Sequence, residues 1–176
     1  MVYIPKFISK EQEKELLSLC VESFRKGEER NSIKRWGSMS PYSSYLISKE
    51  IPSIFYTLGI PSEFNSVTLN EYHKGQFIDY HYDLPKSGNK IIVLSLLGKS
   101  ELYFKNNKGI KVKYEVEPNS LYIMEKELRW QWKHSAKALE KRFSFVFRNS
   151  NEFLECDYLC SKCDTYHTRN SACYDE

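Results

Sequence analysis

From residue 66 onward the chain breaks into short runs rich in β-branched and aromatic residues, and this punctuation narrows the possible folds most. The runs SVTLNEY, NKIIVLSLLG, SELYFKN, IKVKYEVE, SLYIM, LRWQWKH and RFSFVFR are separated by turn signals such as KSGN, NNKG and EPNS. Many short strands at close spacing predict a barrel or sandwich with helices packed outside. An aromatic share of 15%, with thirteen Tyr and ten Phe, suits pleated surfaces. Upstream, FISKEQEKELLSLCVESFRKGEE predicts an amphipathic helix capped by Ser9, with Leu16, Leu17, Cys20, Val21 and Phe24 in one stripe. Cys20 lies on that stripe and reads as a small core residue. SKEIPSIFYTLGI predicts a second, shorter helix with Ile51, Ile54, Phe55 and Leu58 on one side and Pro52 in its first turn. Between the two, the polar GEERNSIKRWGSMSPYSSY reads as loop. The fold class is therefore α+β, mainly β.

The totals set outer bounds. At 176 residues, 41% hydrophobic and 28% charged, the chain reads as one soluble globular domain. Its formal charge of +3 permits an anionic partner without singling one out. No apolar stretch approaches the ~20 residues that span a bilayer, so no membrane partner is expected. MVYIPKFISKEQEKEL has no continuous apolar run, hence no secretory signal, and an intracellular (cytoplasmic or nuclear) location is expected. Nothing in the sequence fixes the oligomeric state.

The segment NEYHKGQFIDYHYD, residues 70–83, concentrates polar chemistry. Alternate residues of a strand share a face, so Asp79, His81 and Asp83 are expected to project together. Either they hold a metal or they form a solvated polar face. His81 with a carboxylate two residues away is two-thirds of a 2-His-1-carboxylate triad, which holds Fe(II) by one face and leaves positions open. Asp79 and Asp83 compete for the carboxylate role. His134, in RWQWKHSAK, is the remaining histidine of the strand region. In RFSFVFR, period 2 sends Phe143, Phe145 and Phe147 to a core and Arg142, Ser144, Val146 and Arg148 to the opposite face. If that face lines a barrel interior, its two guanidiniums require anions, and a dicarboxylate satisfies both. Such a triad with two arginines points to Fe(II) with 2-oxoglutarate.

The order of these residues resembles the AlkB family of Fe(II)/2-oxoglutarate dioxygenases. NEY, HYD, the distant His134 and Arg142-x5-Arg148 match its Asn-x-Tyr, His-x-Asp, His and Arg-x5-Arg pattern. YHKGQFIDYHYD is similar to the pattern of the family's RNA-directed branches, and RFSFVFR to its arginine-bearing strand. The match spans about residues 60–148. It implies a double-stranded β-helix (jelly-roll) core. It implies iron held by His81, Asp83 and His134, and 2-oxoglutarate held by Asn70, Tyr72, Arg142 and Arg148. With O2 the implied reaction is hydroxylation of a substrate C–H bond, or demethylation where that carbon is an N-methyl group. In DNA-repair members a second acid follows the His-x-Asp by two positions. Here Pro85 stands there, so repair of alkylated adenine or cytosine is not expected, and the expected partner is a nucleic acid, RNA or another single strand being favoured over duplex DNA. Arg35, Trp36, Tyr42 and Tyr45 are candidate contacts to an unpaired base. Other expectations are the same chemistry on a protein or small molecule, and a nucleic-acid-binding module without turnover.

The residues divide into an oxygenase domain, 1–150, and a Cys/His-rich appendage, 151–176. The appendage holds Cys156, Cys160, Cys163, His167 and Cys173. Cys160, Cys163, His167 and Cys173 resemble a zinc knuckle in span, with Cys156 as an alternative ligand. Four tetrahedral N/S ligands suit structural Zn, which would fold a segment too short for its own core.

Overall fold

A computed structural model describes residues 1–25, 33–37, 50–84 and 87–149, together with the two-residue strands at 158–159 and 166–167. Strand β1 (Val2–Ile4) leads into helix α1 (Lys10–Arg25). Ser9 and Gln12 cap α1 reciprocally. The Gln12 N–H donates to Ser9 Oγ at 3.2 Å, and the Ser9 N–H donates to Gln12 Oε1 at 2.8 Å. Leu16 and Cys20 on this helix are fully buried. Burial, followed by the charge of Glu71, pushes the Cys20 thiol up to about 12, which fits the expected core role. Val21 of the same stripe is exposed. Helix α2 is a single turn, Ile54–Thr57, with Pro52 before it rather than inside it. Phe55 is the residue of that turn driven into the core.

The remaining strands are β2 (Ile33–Gly37), β3 (Ser66–Tyr72), β4 (Phe77–His81), β5 (Lys90–Leu96), β6 (Ser100–Asn106), β7 (Lys111–Val116), β8 (Ser120–Glu125), β9 (Trp132–Ala138) and β10 (Arg142–Arg148). They form a six-stranded sheet, ordered β1-β8-β5-β10-β3-β2, and a four-stranded sheet, ordered β4-β9-β6-β7. Every pairing is antiparallel. Two antiparallel sheets with these crossovers form a jelly-roll-like sandwich. Two cores flank the larger sheet. Phe143, Phe145 and Phe147 of β10 pack with Phe55, Leu16 and Cys20 on the helix side. Ile91, Val93, Leu102, Phe104 and Tyr122 pack between the sheets. Phe55 meets Phe145 and Phe147 edge-on, at centroid distances of 4.9 and 5.0 Å. β10 is thus a central strand with a phenylalanine face toward the helices and an arginine face toward the other sheet.

Three sequence expectations change. The predicted loop contains β2, which pairs with β3 along its whole length. Lys34 and Trp36 face the helix-side core, where Trp36 meets Phe145 at 6.3 Å, while Ile33 and Arg35 face the sandwich interior. Each face mixes polar with apolar residues, so no period-2 signal marks the strand. LRWQWKH is not one strand. A helical turn, α3 (Glu127–Trp130), precedes β9. The second predicted helix shrinks to one turn. The tail contributes β11 (Tyr158–Leu159) paired with β12 (Tyr166–His167). The expected zinc ligands Cys156, Cys160, Cys163 and Cys173, the side chain of His167, and Tyr42 and Tyr45 lie outside the described residues. Among the described residues, no helix is long and apolar enough to cross a membrane.

Candidate metal centre

β4 and β9 pair so that His81 stands directly opposite His134. Their rings lie 4.3 Å apart, centroid to centroid. Asp83 follows two residues beyond His81 and is buried. One ligand atom from each of His81, Asp83 and His134 falls within 4.8 Å of the others. That spacing fits three protein ligands on one face of a metal.

The alternation that nominated Asp79 fails, and the reason is local. The register of β4 against β9 shifts between Ile78 and His81. Ile78 and His81, three apart, therefore both line the interior cavity, and Asp79 is exposed. Asp79 acts through its backbone instead. Its carbonyl oxygen lies 2.7 Å from His81 Nδ1. Nδ1 can only donate to a carbonyl, so Nε2 carries the free lone pair, as a metal ligand requires. His134 is neutral because burial pushes its imidazole down to about 4, against the opposing pull of Asp83. Its Nε2 sits 3.4 Å from Asp83 Oδ2.

Two arginines hold the carboxylate in place. Arg148 forks onto Asp83 Oδ1 through Nε at 3.2 Å and Nη2 at 2.8 Å, and donates through Nη1 to Thr68 Oγ1 at 3.1 Å. Arg129, 3% exposed, donates to three backbone carbonyls of the loop after β4. These are Asp83 and Gly88 at 3.1 Å and Leu84 at 2.7 Å. Arg129 is the functional residue that sequence reasoning missed. It sits in α3, whose helical turn carries it to the loop, and no local signal announces it.

The cluster opens into a cavity of about 310 Å³ between the sheets. Asn70, Tyr72, Arg142 and Arg148, the four expected 2-oxoglutarate residues, line it together with Ser144. The Asn70 amide donates to Ser144 Oγ at 3.4 Å. The Arg142 guanidinium lies 5.3 Å from the Tyr72 ring centre and donates to Ser95 Oγ at 3.1 Å. Burial raises the Tyr72 phenol above its ordinary range. Arg142 is 2% exposed, yet its Nε has no hydrogen-bond partner among the described residues. Arg35 also reaches this cavity, and its buried Nε likewise has no partner among the described residues. Trp36 faces the other way, into the core.

Among the described residues, three arginines and one carboxylate, that of Asp83, line the cavity, and burial holds His134 toward its neutral form. A divalent metal at the cluster would add further positive charge. Such a lining suits an anion, and the open Nε of the buried Arg142 guanidinium is a donor for one end of it.

No protein-family profile matches the chain. Among curated proteins it is similar to uncharacterized protein L905 of Acanthamoeba polyphaga mimivirus, 27% identical over 170 residues and 81% of each chain. Among solved structures it is similar to OsALKBH1, with a TM-score of 0.66 at 14% identity, covering 84% of this chain and 96% of that one. It is also similar to a Pseudomonas putida prolyl-4-hydroxylase, with a TM-score of 0.53 at 15% identity, covering 84% and 91%. At these identities the likeness is one of fold: the chain shares its jelly-roll fold with these proteins and has a His-Asp-His cluster inside it.

Proposed function

We propose that the chain is an AlkB-like Fe(II)/2-oxoglutarate-dependent dioxygenase that hydroxylates or demethylates nucleic acid, RNA or another single strand in preference to duplex DNA. The observation that supports it most is one cavity containing both a three-ligand cluster and, across from it, a buried guanidinium with an open donor. His81 Nε2, Asp83 and His134 hold the iron. Arg142 takes the far carboxylate of 2-oxoglutarate, because its Nε is unpartnered. Asn70 and Tyr72 flank the same anion, and Arg148, already forked onto Asp83, closes the end of the wall beside the metal. When bound, iron and the keto acid supply oxidation of an unactivated C–H bond by O2. The protein excludes water, aligns the ligands and presents the substrate. Arg35, on the β2 side of the cavity, is the donor left for an acceptor atom of that substrate. For the appendage, we assign Cys160, Cys163, His167 and Cys173, with Cys156 as alternative, to structural zinc.

Anaerobic addition of Fe(II) and 2-oxoglutarate to metal-free protein tests the centre. The expected result is the visible charge-transfer band of the chelated complex, lost in His81→Ala and Arg142→Ala. A folded wild-type protein without the band would leave a jelly-roll binding module in place of an oxygenase. The substrate is then sought among methylated single-stranded oligonucleotides, with Arg35→Ala expected to raise KM more than it lowers kcat.

A further inference from the structure

The outer face of the four-stranded sheet carries a pattern that the cavity does not explain. Phe104 and His134 pair across β6 and β9 and face inward, so their neighbours Lys105 and Lys133 face outward. Lys105 stands directly opposite Lys133 on β9 and directly opposite Lys111 on β7. Three lysines are thus abreast on three adjacent strands, at spacings of about 4.8 Å. Like charges directly opposite one another destabilise a sheet.

Further along this face acids stand among the lysines, and one pair of them, Glu101 and Glu115, is itself directly opposed. Glu101 stands opposite Lys137, and takes the Lys113 ammonium at 2.9 Å. Lys105 and Lys111 have no carboxylate in register and form no ion pair among the described residues. Protection of an exposed edge accounts for Lys111, since β7 is the last strand of the sheet, but not for Lys105 on the interior strand β6. The row ends beside the metal cluster. Lys133 adjoins His134 in sequence, and its ammonium lies 5.7 Å from the ring centre of Tyr82, the residue between His81 and Asp83. Tyr103, opposite Lys113, adds a second aromatic ring to the same face.

We infer that this row is a track for the phosphate backbone of a single-stranded nucleic acid, which it leads toward the cavity mouth. The inference deepens the function proposed above and rests on it for the identity of the substrate. Successive ammonium groups meet successive phosphates. Tyr82 and Tyr103 accept bases by stacking, which only unpaired bases permit.

Fluorescence anisotropy of the full chain with labelled oligouridine of about 12 nucleotides, over a salt series, tests the track. The double variant Lys105→Gln, Lys111→Gln is expected to bind ~tenfold more weakly at low salt. Its salt slope should fall by about 1.4, or ~0.7 for each phosphate that is no longer neutralised. Its Tm should hold or rise, because a repulsion is removed. The charge-transfer band should be unchanged. Wild-type affinity and slope in the double variant would overturn the track, as would no binding by the wild type. Equal binding of duplex or of anionic vesicles would overturn it as well. In each of those cases a retained band leaves the oxygenase reading standing, whereas a wild type without the band sinks that reading whatever the oligonucleotide does.

Discussion

Asp83 has two duties that substitution separates from those of His81. It belongs to the three-ligand cluster, and it is also the buried counter-ion of Arg148. Removing one partner of a buried pair leaves an uncompensated charge, costing about 3–5 kcal/mol. Asp83→Ala should therefore lower stability by that amount even without metal, while His81→Ala, at a half-buried residue that forms no ion pair among the described residues, should abolish metal binding with less than ~1 kcal/mol of loss. Chemical denaturation of the metal-free variants distinguishes the two. Arg129 acts one step further out. Its three carbonyl acceptors position the loop that carries Asp83. Arg129→Lys keeps the charge but cannot satisfy three divergent acceptors. Fe(II) affinity, read by titration of the band, should fall ~10–100-fold, as expected for a residue that orients a ligand. His81, His134 and Arg142 were legible in the sequence as candidates because residue type and spacing carry them, and the family-like order chose Asp83 over Asp79. Arg129 was not legible, because its partners lie more than forty residues away.

Among the secondary-structure elements, the cavity wall is assembled from strands whose faces are set by neighbours. β10 was legible throughout, because three phenylalanines alternate with Arg142, Ser144, Val146 and Arg148. β4 was not, because a bulge breaks its period and exchanges Asp79 for Ile78 at the cavity. β2 was hidden by its mixed faces, and its end depends on one residue. Gly37 has φ +110°, and a Cβ there would meet the Asn65 carbonyl oxygen at 1.9 Å. Gly37→Ala should cost more than ~2 kcal/mol and detach the strand that bears Arg35. The expected sign is easier proteolysis within residues 33–37, with the band retained because no ligand lies on β2. Ser9→Ala, by contrast, removes one reciprocal cap of α1 and should cost only ~1 kcal/mol.

Across the whole molecule, the cavity couples the two sheets. Arg142 and Arg148 belong to the larger one, while His81 and His134 belong to the smaller. On the proposed function, a metal and a dicarboxylate held by these residues would stabilise the sandwich by mass action, by about 2.7 kcal/mol at a hundredfold excess over Kd. For a chain of this size that is a Tm rise of roughly 5–10 °C. Differential scanning calorimetry with Fe(II) and 2-oxoglutarate under anaerobic conditions checks it. His81→Ala should remove the rise while leaving the metal-free Tm within ~4 °C of wild type. Local pattern is enough to specify the mainly β architecture, the N-terminal helix, the burial of Cys20 and the candidates for the ligand cluster, because periodicity and spacing are properties of neighbouring residues. Other features arise only once the strands are paired: Asp79 serving through its carbonyl, Arg148 binding Asp83, Arg129 bracing the loop, and three lysines standing abreast. Each of these depends on strand register or on partners distant in the chain, and a one-dimensional pattern does not encode which strand lies beside which.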